Sequence, residues 1–180
     1  DTADGRSIRI DTLQSFLGRV LFHAGLLEGE DSYIEILEDA ATYSEKKAEL
    51  LKILADQERL DSIRHESEAG RYDIACIDEA QDFPEDERDI IHRLFGVTNC
   101  VVADGIDQLV RKSKCDWRHT PGAKNLTKTV PLRKSLRMQS NVCKFANAFA
   151  STMGLEDWSI EPNSELPGGR IVVCQGSKFE

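Results

Sequence analysis

Two short apolar runs, each ending in acid, constrain this chain more than anything else in it. Ile74-Ala75-Cys76-Ile77 stops abruptly at Asp78 and Glu79, and Cys100-Val101-Val102-Ala103 stops at Asp104. A short unbroken apolar run bounded by polar residues reads as a buried strand. Between the two runs, Phe83-Pro84-Glu85 is a helix start, because proline suits the first turn and acids there complement the dipole. Ile90, Ile91, Leu94 and Phe95 supply that helix with a buried face before Gly96 closes it. The stretch from Ile74 to Val102 is therefore predicted to be strand–helix–strand, a parallel crossover of the usual right hand. The expected fold class is α/β. Ligands of open α/β sheets collect at the carboxyl ends of strands, where these acids fall. One acid can hold Mg²⁺ beside a nucleotide, and its neighbour can orient or deprotonate an attacking water. An ordinary turn or helix N-cap would show the same pair.

Around this unit the pattern is mostly helical. A short strand is expected over Ser7–Ile10, then a helix with Leu13, Phe16, Leu17, Val20 and Leu21 on one face. Tyr33 to Arg64 reads as helix, and residues 28–69 as a small helical insertion ended by Gly70. Leu109 to Pro121 is expected to be loop, Leu126–Leu132 a strand and Asn141–Met153 a helix. Pro162–Gly169 is expected to be a linker, followed by a strand over Arg170–Cys174.

Composition narrows the class. With 180 residues, the chain can form one domain with a sizeable core, or one and a fraction. No apolar run approaches the roughly 20 residues that span a bilayer, so no membrane partner is expected. The first five residues have neither a basic start nor an apolar core, so no signal peptide is expected. Cysteines 76, 100, 115, 143 and 174 lie far apart, without the close pairs of a zinc site. Cys76 and Cys100 fall within the expected core strands, where thiols act as small apolar side chains. A reduced, cytoplasmic protein follows as the expectation. The net charge of −9 argues against nucleic acid only when averaged. From Arg111 to Lys144 there are ten Lys or Arg against one acid, Asp116. Such a segment suits phosphate contacts, although a solvated loop could be as basic.

The pentapeptide DEAQD, residues 78–82, resembles the Walker B motif of superfamily 1 helicases of the UvrD/Rep type. VVADGIDQ, ending at Gln108, is similar to their motif III, and LRKSLRMQSNVCKFANAFA, from Leu132, to their motif IV with its following helix. Thr12-Leu13-Gln14-Ser15-Phe16 is similar to the family's T-x-H-S-F segment. GGRIVVC resembles the first strand of the second motor domain. These stretches occur in family order and cover most of the chain. Three departures stand out: Ala103 replaces a glycine, Ser135-Leu136 replaces Asn-Tyr, and Gln14 replaces a histidine.

The resemblance implies a partial RecA-like P-loop NTPase fold, a parallel sheet with flanking helices. It places residues 1–130 in the first motor domain and 131–180 in the hinge and start of the second. Asp78 would coordinate Mg²⁺ and Glu79 would position the hydrolytic water. Gln81 and Asp82 would fix the loop. Gln108 would sense the γ-phosphate, and Arg137 would reach it from the domain boundary. Thr12, Trp117 and Arg118 are candidate nucleic-acid contacts. A tryptophan there could stack on a base or sit in the core or at its rim.

No G-x-x-x-x-G-K-[ST] loop occurs, and hence no phosphate-cradling backbone of that kind. The expectation is a truncated portion of a larger ATP-dependent DNA translocase, inactive as this chain alone. ATP and Mg²⁺ are the expected cofactors of the intact parent. Single-stranded DNA, or its junction with duplex, and the remaining motor domains are the expected partners. The alternative is a P-loop-less module that binds nucleic acid or protein and uses DEAQD structurally. A metal-dependent hydrolase without nucleotide is disfavoured, because no third carboxylate or histidine has suitable spacing.

Overall fold

The computed structural model describes residues 8–29, 32–67, 69–104, 115–117, 128, 130–132, 134–155 and 158–172. The chain divides into two compact units, Asp1–Thr127 and Lys128–Glu180. Among the described residues of the first unit are helices α1 (Leu13–His23), α2 (Tyr33–Leu37), α3 (Ala40–Ile53), α4 (Gln57–Glu66) and α5 (Glu85–Phe95). Strands β1 (Ala75–Ile77) and β2 (Cys100–Val102) flank α5 in the chain. The second unit carries α6 (Ser140–Thr152).

Three of these helices begin where a side chain satisfies an orphan amide. Thr12, Asp39 and Asp56 each accept a backbone N–H from the first turn of α1, α3 and α4. The helical stretch after Tyr33 is broken twice, at Glu38–Asp39 and Leu54–Asp56, giving three helices. Leu50 and Leu54 at the end of α3, with Leu60 and Ile63 of α4, share one core with Leu17, Val20 and Leu21 of α1. Ile90 and Leu94 of α5 complete it. Each such fully buried side chain contributes on the order of 1.5–3 kcal/mol. Gly18 lets α1 and α2 meet closely, since a Cβ there would lie 2.3 Å from the Tyr33 ring.

The expected strand–helix–strand unit is present. β1 and β2 pair in parallel with Ala75 opposite Cys100 and Ile77 opposite Val102. Ala75, Ile77, Cys100 and Val102 turn inward against a second cluster made by Ala80, Ile91, Cys115 and Trp117. Cys76 and Val101 turn outward and are exposed, with no described element packed over them. The burial expected of Cys76 is thus corrected, because successive strand residues point to opposite faces and only one face is covered.

Three further expectations are corrected. Ile8 and Ile10 are 83% and 93% exposed and belong to no strand. Pro131 and Leu132 are likewise outside any strand, and Lys134 instead makes an isolated parallel bridge with Glu161. Arg170–Val172 carry no strand either. Apolar character alone does not make a strand where no neighbour supplies ladder hydrogen bonds.

In the second unit, α6 is fastened at its start and middle. Ser140 and Asn141 donate their backbone N–H groups to Leu166 and Gly168 carbonyls at 2.9 and 2.7 Å. The Asn147 amide pairs with both backbone groups of Ile160, donating to its carbonyl at 2.9 Å and accepting its N–H at 2.8 Å. Among the described residues, no helix is long and apolar enough to cross a membrane.

Candidate functional site at the acid turn

β1 ends at Ile77, and the next residue is Asp78. The ladder continues past both strands: Ala103 donates its N–H to Ile77 at 2.8 Å, and Ala80 donates to Ala103 at 3.0 Å. The turn carrying the two acids is therefore sewn to the end of β2, where Asp104 follows. Asp78 and Glu79 are both exposed. Asp78 Oδ1 accepts the Glu79 N–H at 3.0 Å.

Glu79 has φ 50° and ψ 42°, the one positive φ outside glycine among the described residues. A side chain in that left-handed region costs on the order of 1 kcal/mol or more, and it persists only where neighbours hold it. Gln81 donates from Nε2 to Glu79 Oε2 at 2.7 Å, orienting the carboxylate. Ala80–Asp82 then form one 3₁₀ turn.

Beneath the turn lies Trp117, only 3% exposed. Its Nε1–H donates to the Ala80 carbonyl at 2.7 Å. Its ring meets His92 edge-on, with centroids 5.3 Å apart and planes at 90°. Burial and the neighbouring Arg88 guanidinium push the His92 imidazole below its ordinary value, against a smaller opposite pull from Asp89. Arg88, itself 3% exposed, donates from Nη1 to the Asp116 carbonyl at 2.9 Å and also pairs with Asp89. Burial pushes the Cys115 thiol up to about 11.

The structure brings Asp78, Glu79 and Trp117 together around one turn. Of the two readings open for Trp117, base-stacking platform and core side chain, its burial favours the second. Thr12 is the N-cap of α1, its hydroxyl accepting the Ser15 N–H at 3.2 Å. Arg137 lies in the second unit, exposed, with its backbone N–H donated to Ser135 Oγ at 3.3 Å. Gln108 and Arg118 lie outside the described residues. Without ligand spacing, His92 is expected from the sequence to be structural or exposed, and nothing there marks Arg88; both are buried. Nothing in a helical Glu-Arg-Asp-Ile-Ile-His segment signals that its arginine and histidine face inward.

Two exposed carboxylates suit a hydrated divalent cation, and Mg²⁺ ordinarily takes one or two protein carboxylates with water and phosphate oxygens. No group of three His, Cys, Asp or Glu among the described residues could hold a metal by itself. A phosphate fits less well. The N–H groups of Glu79, Ala80, Asp82 and Phe83 are all donated within the chain, so none of them is offered to a phosphate. The described turn thus supplies acid and no cradle. Comparison with known proteins returned no match: no family model, no curated protein and no solved structure matches this chain.

Proposed function

We propose that Asp78 and Glu79 are the acidic half of an ATP-hydrolysing site, in a DNA translocase of the superfamily 1 UvrD/Rep kind with a RecA-like core. One observation carries the reading: two adjacent parallel strands end side by side, and the acid pair follows the first directly. That is where open α/β sheets bind ligands. Asp78 offers a carboxylate to a hydrated Mg²⁺. Glu79, oriented by Gln81, accepts a proton from, or aligns, a water. Arg137 and Gln108 are assigned to the phosphate by the motif resemblance alone, and Thr12 and Arg118 to single-stranded DNA on the same ground. Such a site also needs a phosphate cradle, and these 180 residues hold no G-x-x-x-x-G-K-[ST] loop to form one.

Two experiments test this. Calorimetric titration of the chain with Mg²⁺ and a non-hydrolysable ATP analogue should show no specific nucleotide binding. Binding that disappears in Asp78→Ala would overturn the division of the site between this chain and another segment. In a polypeptide that also supplies the cradle, Glu79→Gln should abolish ATP turnover while keeping nucleotide binding. Near-normal turnover would favour the other reading, a binding module in which DEAQD is structural. The engagement of Glu79 by Gln81 is compatible with that role as well.

A further inference from the structure

Ala80 is fully buried and held from three directions. Its N–H goes to Ala103 at the end of β2, and its carbonyl receives both the Phe83 N–H at 3.2 Å and the Trp117 indole N–H at 2.7 Å. Glu79, the left-handed residue, immediately precedes it. A second, partly buried bond, from Arg88 to the Asp116 carbonyl, fixes the backbone that carries Trp117.

We infer that Trp117 is a positioning residue for the acid pair. Its indole N–H, by pinning the Ala80 carbonyl, keeps the turn in the conformation that presents Glu79. This deepens the proposed function and rests on it for what the turn does. The latch itself is a property of the chain without nucleotide. A tryptophan that merely fills the core would matter for its volume; one that positions the turn matters for its single N–H.

The test separates these two roles. Residue 117 is replaced by phenylalanine (Trp117→Phe) and, to keep the ring shape, by benzothienylalanine, which is nearly isosteric with tryptophan but lacks the N–H. Should the phenylalanine variant fail to fold, the isostere carries the test. Amide hydrogen exchange of the 180-residue chain is then read residue by residue. Losing one buried hydrogen bond should speed exchange at Ala80, Asp82 and Phe83 by about tenfold, with α3 and α4 unchanged. Uniform acceleration, or none at these three amides, would overturn the inference.

A double-mutant cycle with Glu79→Gly gives a second readout. Glycine relieves the left-handed backbone, so it should raise the urea midpoint of the native chain. It should do so less once the N–H at 117 is gone and the turn has relaxed. Strict additivity between the two sites would also overturn the inference, since uncoupled sites add. Neither measurement involves ATP. Failure here therefore leaves the hydrolytic reading standing, and failure of Glu79→Gln to stop turnover leaves the latch standing.

Discussion

The indole nitrogen of Trp117 stands 2.7 Å from the carbonyl oxygen of Ala80, thirty-seven residues apart in the chain. That contact ties the segment after β2 to the acid turn after β1, and it lies inside the second hydrophobic cluster. A ring so placed is withdrawn from solvent, where a nucleic-acid base would have to reach it.

Trp117→Ala should cost roughly 3–5 kcal/mol of unfolding free energy, the usual result of deleting a large buried aromatic. Urea denaturation of the chain measures this. A loss below about 1 kcal/mol, the level of surface substitutions, would show that the ring is not a core side chain in solution.

Lys47 is buried with its Nζ 2.9 Å from Asp86 and 3.1 Å from Glu87, joining α3 to α5. Glu87 is as enclosed as the lysine. Lys47→Met alone should therefore destabilise by roughly 3–5 kcal/mol, because it strands a buried carboxylate. Adding Glu87→Leu should recover most of that loss. A double variant as unstable as the single one would contradict a buried pair.

His92 sets a pH dependence whose sign can be worked out. Its folded value lies below the ordinary 6.5 because burial and Arg88 disfavour the imidazolium. Between those two values the unfolded chain binds a proton that the folded chain refuses, so stability rises with pH. The contribution is complete above about pH 6.5 and is lost as pH drops through the folded value. Urea midpoints at about pH 7.5 and 5.5 should differ more for the native chain than for His92→Gln. Equal differences would remove His92 as the source.

Thiol reactivity should follow exposure. Cys76 is exposed, whereas burial raises both Cys100 and Cys115 to about 11 and Cys143 is enclosed. In a Cys174→Ser background, a disulfide reagent at neutral pH should modify one thiol quickly. Cys76→Ala should remove that fast phase, and rapid labelling of several thiols would argue against the described sheet face.

Thr12 caps α1 through its hydroxyl, so Thr12→Ala should cost about 1 kcal/mol and Thr12→Ser much less. Thermal or urea unfolding distinguishes them. Equal stability of all three chains would release Thr12 from the capping role.

What the sequence by itself determined is local: unbroken apolar runs before Asp78 and Asp104, a capped amphipathic helix between them, and the helical spacing of Leu17, Val20 and Leu21. Those patterns reach only as far as neighbouring residues, and the strand–helix–strand unit is local enough to follow from them. They failed where partners decide the outcome. Ile8, Ile10, Leu132 and Ile171 are apolar enough for strands, yet among the described residues no backbone supplies them with a ladder. Cys76 sits on a covered strand but faces the uncovered side. Only tertiary structure decided the rest: that the helical block shares its core with α1 and α5, that Arg88 and His92 face inward, and that Trp117 lies under Ala80. Each depends on contacts between residues far apart in the chain, which chain folding creates and local pattern does not encode.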